Sequence, residues 1–361
     1  MYLYARKIIM TLRSSLCLSF LIVLSCHATI IERLIYGTIV ITEPVIEALI
    51  RSQGFQRLKR VRQYGIGSLV DKKRAHTAGY TRYNHSLGVY GLTKRYGAPL
   101  QEQVAALLHD ASHTAFSHCG DRIFNHTDGK DSYQDEHHLD LLKQTDIPQV
   151  LAQFQMTLAD INHKNPKFTL LERDLPDICA DRLEYNLAGG VLEGLITPHE
   201  VHELLEHLTF DQGQWYFTDA EHAKQFAMIS LHHTEHVWGT QVDAAITDEL
   251  AQAIERAFSL GILTPDDVKH GTDDAIWQRL CCCNNAQLQQ HVRTMQELPE
   301  QELKLCQKRR TNKFRGINPL VLVDGQLLRL TELDTEFRAE YERIKRYLPP
   351  TVEMREAKEV L

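Results

Sequence analysis

The chain reads as a mainly α-helical protein with small β-hairpins, one continuous domain and a small α+β subdomain near its C-terminal end. Three observations predict this class. Apolar residues recur at three-to-four spacing in one segment after another. Two stretches, "LTFDQGQWYFT" at 208–218 and "NPLVLVDGQLLRL" at 318–330, place apolar runs on both sides of a glycine turn. No internal repeat and no long low-complexity linker interrupts the 361 residues.

The elements follow in order. "YGTIVIT" at 36–42 is rich in β-branched residues and reads as a short strand or extended turn. Thr42, Glu43 and Pro44 form a helix-start signal, with threonine as the cap. Val45, Ile46, Leu49, Ile50, Leu58 and Val61 then predict one or two amphipathic helices. "GAPLQEQVAALLHDASH" predicts a helix from about Leu100 to the histidines. "SYQDEHHLDLLKQT" predicts another, with Leu139 and Leu142 on one face. "LPDICADRLEYNLAGG" predicts a third, stopped by Gly189-Gly190. The first hairpin turns at Gln212-Gly213. Helices resume from Ala220 to about Trp238 and from Val242 to Leu260. "LTPDDVKHGTDDAIWQRLCCC" holds two short helices that start near Pro265 and Asp273. The second hairpin turns at Asp324-Gly325, and a helix over about 333–347 closes the chain. Trp215 and Trp277 read as core.

Composition narrows the function. The chain is 43% apolar and 24% charged, with a net charge of -7. A global electrostatic footprint for nucleic acid is absent, so any basic site is local. The eight cysteines lie at 17, 26, 119, 179, 281, 282, 283 and 306, with no CxxC pair. They predict reduced thiols rather than a disulfide framework, which favours the cytoplasm. The N-terminus points the other way. Arg6, Lys7 and Arg13 precede an apolar run from Leu16 to Leu24 and then small residues, the layout of a secretory leader over 1–28. That run is short for a membrane span, so no anchor beyond a cleaved leader is expected.

The chemistry concentrates in "AALLHDASHTAFSHCGD" at 105–121. Polar groups that end a buried apolar run cost free energy unless something pairs with them. His109 and Asp110 stand there, with His85 in "TRYNHSLGV" before them and Asp181 in "ADRLEYNL" after them. Two imidazoles and two carboxylates suit a divalent transition ion, Mg²⁺ or Mn²⁺, and leave positions open for water and substrate. On a helix Asp110 lies about 100° round from His109, so both reach one ion at the helix end. His113, at i+4, shares the face of His109.

These motifs resemble HD-domain phosphohydrolases, in particular the branch with sterile-alpha-motif/HD-type deoxynucleoside triphosphate triphosphohydrolases and their bacterial relatives. The resemblance covers roughly 35–190. It runs from "YGTIVITEPVIEALIRSQGFQRLKRVRQYGIGSLV" through "HTAGYTRYNHSLGV" and "LLHDASHTAFSH" to "DRLEYN". It implies an HD helical core over 33–210 and a helical and α+β extension over 211–361 packed on it. It implies that His85, His109, Asp110 and Asp181 ligate one divalent ion (Mn, Mg, Fe, Ni, Co or Zn). Arg82 would face substrate phosphate, as its fork suits phosphate oxygens. His113 and His118 would serve the phosphate site as donors or proton carriers, with Asp121 orienting one of them. Tyr185 would contact a nucleotide. Cytoplasmic location and a homo-oligomer follow from the same resemblance, with export the outcome if the leader is a true signal.

Two departures stand out. The resembled branch carries a His-Glu pair about 15 residues after the position of Asp121. Here Asp135-Glu136 falls near that place, with His137 and His138 following, and the two histidines enter as catalytic candidates. The branch also ends the helix after Asp181 with an aspartate, where this chain has "LAGG". The expected activity is metal-dependent hydrolysis of a nucleotide, dNTP included, or a related phosphate ester. The alternative is a degenerate HD module that binds nucleotide as a sensor or partner-binding protein. Three further signals carry blander expectations. His232 and His236 share a helix face, with His233 beside them, but no third metal ligand is evident. "QKRRTNKFRG", with Lys308, Arg309, Arg310, Lys313 and Arg315, reads as a solvated loop, with an anionic ligand or single-stranded nucleic acid as the alternative. Cys281-Cys282-Cys283 reads as helix packing.

Overall fold

Apolar burial divides the described chain between two cores. The structure, a computed structural model, describes residues 30–124, 132–238, 240–301 and 314–347. The expected leader, Cys17, Cys26, Cys306, Lys308, Arg309, Arg310 and Lys313 lie outside the described residues. The other five cysteines are free.

The chain opens with an antiparallel hairpin, β1 (Ile30–Leu34) and β2 (Gly37–Ile41), followed by α1 (Pro44–Arg51), α2 (Gln53–Gln56) and α3 (Gly67–Val70). Next come α4 (Arg82–Arg95), α5 (Leu100–Leu108), α6 (Cys119–Ile123), α7 (Tyr133–Glu136), α8 (His138–Leu142) and α9 (Ile147–Gln153). After them stand α10 (Ala180–Leu192), α11 (Pro198–Glu206), β3 (Leu208–Asp211), β4 (Gln214–Phe217), α12 (Ala220–His236) and α13 (Gln241–Ser259). The last elements are α14 (Pro265–His270), α15 (Asp273–Cys282), α16 (Ala286–Glu297), β5 (Leu320–Val323), β6 (Gln326–Arg329), α17 (Leu330–Leu333) and α18 (Thr335–Tyr347).

The larger core joins α1, α4, α5, α10 and α12 to the sheet and α18 through residues such as Leu87, Leu108, Leu187, Phe217, Phe226 and Phe337. The smaller core joins Ile66, Phe116 and Ile123 to α13–α16. Helix α4 is buried along nearly its whole length, which explains its many small and apolar residues. Both expected hairpins form, with Gln212, Gly213, Asp324 and Gly325 all at positive φ. They are not separate. Strand β4 pairs parallel with β5, which merges them into one four-stranded sheet, and residue 210 lies inside β3. No helix among the described residues is long and apolar enough to cross a membrane.

Several local expectations need correction. The α1 cap is Glu43, not Thr42; its carboxylate takes the Thr42 N–H at 3.1 Å, the Tyr90 hydroxyl at 3.0 Å and Lys94 Nζ at 2.9 Å. Helix α5 stops at Leu108, so His109 and Asp110 lie in the turns beyond it. The helix expected over 132–145 breaks at His137 into α7 and α8. Gly189 and Gly190 do not stop α10, which runs on to Leu192. They permit close packing instead: a Cβ at Gly189 would meet His233 Cε1 at 2.8 Å, and one at Gly190 would meet Ile196 Cγ2 at 3.0 Å. Trp215 is core, whereas Trp277 only leans on the smaller core. Cys281 and Cys283 also pack there, and Cys282 is exposed.

Candidate active site

Three helix ends meet at the seam of the two cores. At the start of α4, the Asn84 amide oxygen accepts from Thr81 N at 3.1 Å and Thr81 Oγ1 at 2.8 Å. This cap fixes Arg82 and His85 in the first turn. At the end of α5, His109 and Asp110 follow the buried run that Leu108 closes. At the start of α10, Asp181 stands in the first turn, with Glu184 one turn further on.

The four expected ligands come together. His85 Nε2 lies 3.2 Å from His109 Nε2, 2.9 Å from Asp181 Oδ1 and 3.5 Å from Asp110 Oδ2. His109 Nε2 lies 3.5 Å from Asp181 Oδ1 and 3.6 Å from Asp110 Oδ1. The far nitrogen of each imidazole is already engaged. His109 Nδ1 donates to the Ala106 carbonyl at 2.7 Å, and His85 Nδ1 bonds the Glu184 carboxylate. With Nδ1 engaged, each Nε2 is turned toward the other imidazole and the two carboxylates, a place that a second proton on His85 fills without an ion and that a divalent cation would take over. Burial opposes charge on His85, but Glu184, Asp181 and Asp110 outweigh it and raise its pKa to about 10. His85, His109 and Asp181 gather donor atoms closely enough to share one divalent ion, with Asp110, paired to Arg82, beside them as the fourth candidate.

Glu184 is the residue that the motif reading missed. It is buried and also accepts from the Tyr36 and Tyr80 hydroxyls. Its i+3 spacing from Asp181 was the available signal. Gly88 makes room for this network, since a Cβ there would lie 2.4 Å from Glu184 Oε1 and 2.5 Å from the Tyr36 hydroxyl.

Arg82 is buried beside the ligands. Nη1 donates to Asp110 Oδ2 at 2.7 Å and Nε to Ser117 Oγ at 2.9 Å, while Nη2 makes no protein hydrogen bond among the described residues. Burial would protonate Asp110, but Arg82, His109 and His113 hold its pKa well below the usual carboxylate range. The loop from His109 to His118 is pinned from outside by two residues that no motif suggested. Arg57 donates to the carbonyls of His113 at 2.6 Å and Ala111 at 3.2 Å. Asp273 accepts from Phe116 N at 2.7 Å and Arg62 N at 2.9 Å. Phe116 and Ser117 both adopt positive φ, a conformation that non-glycine residues keep only when their surroundings enforce it.

A cavity of about 430 Å³ opens from the ligand cluster. His113, His118, Asp121 and Tyr185 line it, as expected. Helix α5 ends before His109, so His109 and His113 do not share a helix face; His113 Nε2 lies 3.2 Å from Asp110 Oδ1. Burial and then Arg82 push its pKa down to about 3, so it is neutral near pH 7. Its ring meets His118 edge-on at 4.9 Å. His118 Nδ1 lies 3.8 Å from Asp121 Oδ2. Tyr185 packs edge-on against Trp238 at 5.4 Å.

His137 and His138 are not in this cavity. The break in the helix turns His137 against Tyr133, with ring centres 4.6 Å apart. It points His138 into the interior, where Nδ1 meets Ser112 Oγ at 2.7 Å. Gln134, Asp135 and His163 line the wall instead. The His232 and His236 rings lie 4.7 Å apart, with no third ligand gathered among the described residues.

Comparison with known proteins agrees with this geometry. The model of the HD domain family matches residues 82–168. The chain is 29% identical to the uncharacterized Bacillus subtilis protein YdhJ, across 88% of this chain and 97% of that one. It is 28% identical to the metal-dependent phosphohydrolase cns2 of Cordyceps militaris, across 80% and 85% of the two chains. Its fold matches that of a Bacteroides thetaiotaomicron phosphohydrolase with a TM-score of 0.64 at 16% identity, over 85% of this chain and 94% of that one. The HD domain match over 82–168, the cns2 relationship and the clustered imidazoles and carboxylate of the helical core support the chain's place in the HD-domain phosphohydrolase superfamily.

Proposed function

We propose that this protein hydrolyses a nucleotide, dNTPs included, or a closely related phosphate ester, with one divalent ion held by His85, His109, Asp110 and Asp181. The observation that carries the reading is the pair of Nε2 atoms 3.2 Å apart, both close to the Asp181 and Asp110 carboxylates, beside an arginine-bearing cavity of about 430 Å³, a volume suited to a nucleotide-sized ligand. Bound there, a divalent cation supplies Lewis acidity, lowering the pKa of a coordinated water and polarising phosphoryl oxygens.

The chain's own residues do the rest. Arg82, held by Asp110 and Ser117, presents Nη2 to a non-bridging phosphate oxygen. Neutral His113 adds a hydrogen bond inside the site without adding charge. His118, at the cavity mouth beside Asp121, delivers a proton to the leaving oxygen as the ester P–O bond breaks and the bond from water to phosphorus forms. Asp135-Glu136, near the place where the resembled branch has His-Glu, favours the second reading, a nucleotide-binding module without turnover.

The deciding experiment incubates the protein with nucleoside mono-, di- and triphosphates and simple phosphate esters, in Mn²⁺, Mg²⁺, Co²⁺ or Ni²⁺. Release of phosphate, pyrophosphate or triphosphate is expected. Tight binding with no product from metal-loaded protein would overturn hydrolysis in favour of the binding module.

A further inference from the structure

Arg315 belongs to the basic stretch that read as a solvated loop, yet its side chain lines the main cavity. It reaches the Tyr185 side, where its charge acts on the Tyr185 hydroxyl. Other arginines on the same wall are engaged. Arg74 pairs with Asp243 at 2.8 Å, Arg82 pairs with Asp110 at 2.7 Å, and Arg122 pairs with Asp248. Arg182 donates to the Asp177 carbonyl at 3.1 Å and Cys179 Sγ at 3.3 Å. The Arg315 guanidinium has no hydrogen bond or ion pair among the described residues.

Its backbone, by contrast, is firmly held. Ser230 Oγ on α12 donates to the Arg315 carbonyl at 3.2 Å and accepts from Ile317 N at 3.2 Å. Phe314 meets Tyr341 edge-on at 5.1 Å, and Ile317 is fully buried. Gly316 passes so close to Leu231 that a Cβ would lie 2.9 Å from Leu231 Cδ2. The fold therefore anchors a cation without giving it an internal partner. A half-buried guanidinium in a concave site is stabilised when an anion joins it, and its planar fork matches phosphate oxygens.

We propose that Arg315 binds a second anionic group of the substrate, remote from the phosphoryl group at the metal ligands. The preferred substrate is then a phosphate ester with two separated anionic groups, such as a nucleoside di- or triphosphate, rather than a lone monoester. This rests on the hydrolase reading for its catalytic meaning, but the binding claim is tested separately.

The test uses full-length Mn²⁺-loaded protein and its Arg315→Met and Arg315→Lys variants. Calorimetry measures binding of inorganic pyrophosphate and of orthophosphate, and thermal melting checks that each variant is folded. Loss of one charge-assisted contact predicts that Arg315→Met weakens pyrophosphate binding by about tenfold or more and orthophosphate by less than about twofold. Arg315→Lys keeps the charge without the fork, so an intermediate loss is expected. Equal pyrophosphate affinity in wild type and Arg315→Met, or an equal loss for both anions, would overturn the proposal. If wild type binds pyrophosphate through Arg315 but hydrolyses no ester, the hydrolase reading fails and the anion site stands.

Discussion

Two histidine–carboxylate clusters in this chain look alike at the level of residue type and differ in what stands behind them. In the buried cluster, His85 and His109 each spend Nδ1 on a protein acceptor, Glu184 or the Ala106 carbonyl, and turn Nε2 toward Asp110 and Asp181. In the half-exposed cluster at the start of α12, His207 and His222 stack at 3.9 Å and turn Nδ1 itself onto Asp219, at 2.7 Å and 2.9 Å. There one carboxylate accepts from both imidazoles. The contrast teaches that the partner behind an imidazole, more than its proximity to a carboxylate, creates the demand for a cation.

Breaking the buried cluster should have the largest effect. Asp110→Ala or His109→Ala is expected to abolish both metal binding and hydrolysis, read by elemental analysis and product release; full activity in a metal-free variant would sink the ligand assignment. Removing only the support is milder. Glu184→Gln should weaken metal affinity by about 10–100-fold while the protein stays folded, measured by chelator competition. Gly88→Ala pushes a methyl group into the Glu184–Tyr36 contact and should cost about 1–3 kcal/mol, read from urea unfolding.

His233 sharpens the comparison as a buried imidazole with no carboxylate beside it. Its Nδ1 faces Asn186 Oδ1 at 3.2 Å, and burial depresses its pKa to about 3. The unfolded chain takes up this proton below about pH 6.5 and the folded one does not. Its contribution is therefore complete above that pH and is lost by about 1.4 kcal/mol per unit as pH falls from there toward about 3. His233→Gln should flatten the slope of unfolding free energy between about pH 6.5 and about pH 5; an unchanged slope would refute the assignment. The smallest effect belongs to the exposed cluster. His222→Ala should leave metal content unchanged and alter stability by less than about 1 kcal/mol.

Much of this site was legible because its ligands sit in short motifs at helix ends. "TRYNH", "HD" and "ADRLEYN" mark the candidate ligands by residue type, and the resemblance to HD-domain phosphohydrolases added Arg82 and Tyr185. The helix periods and both glycine turns were equally readable. What stayed hidden acts across long separations. Asp273 and Arg57 hold the His113–His118 loop from outside its sequence neighbourhood, and no local pattern marks them. The parallel β4–β5 pairing leaves no trace in either hairpin's own alternation. Gly189-Gly190 misled because glycine signals both helix termination and close approach, and only the neighbouring His233 and Ile196 decide between them. His137 and His138 were placed by counting residues, and a one-residue break at His137 was enough to turn both away.

The β4–β5 pairing also sets an order of events during synthesis. Tyr216 must wait for Leu320, about a hundred residues later, before its sheet neighbour exists. Until then β4 has an unpaired edge, and Trp215 and Phe217 lack part of their cover, the sort of exposed strand that invites chaperones or self-association. The segment that closes this gap also carries Arg315. His85, His109, Asp110 and Asp181 thus leave the ribosome well before the segment that brings Arg315 to the wall of the cavity.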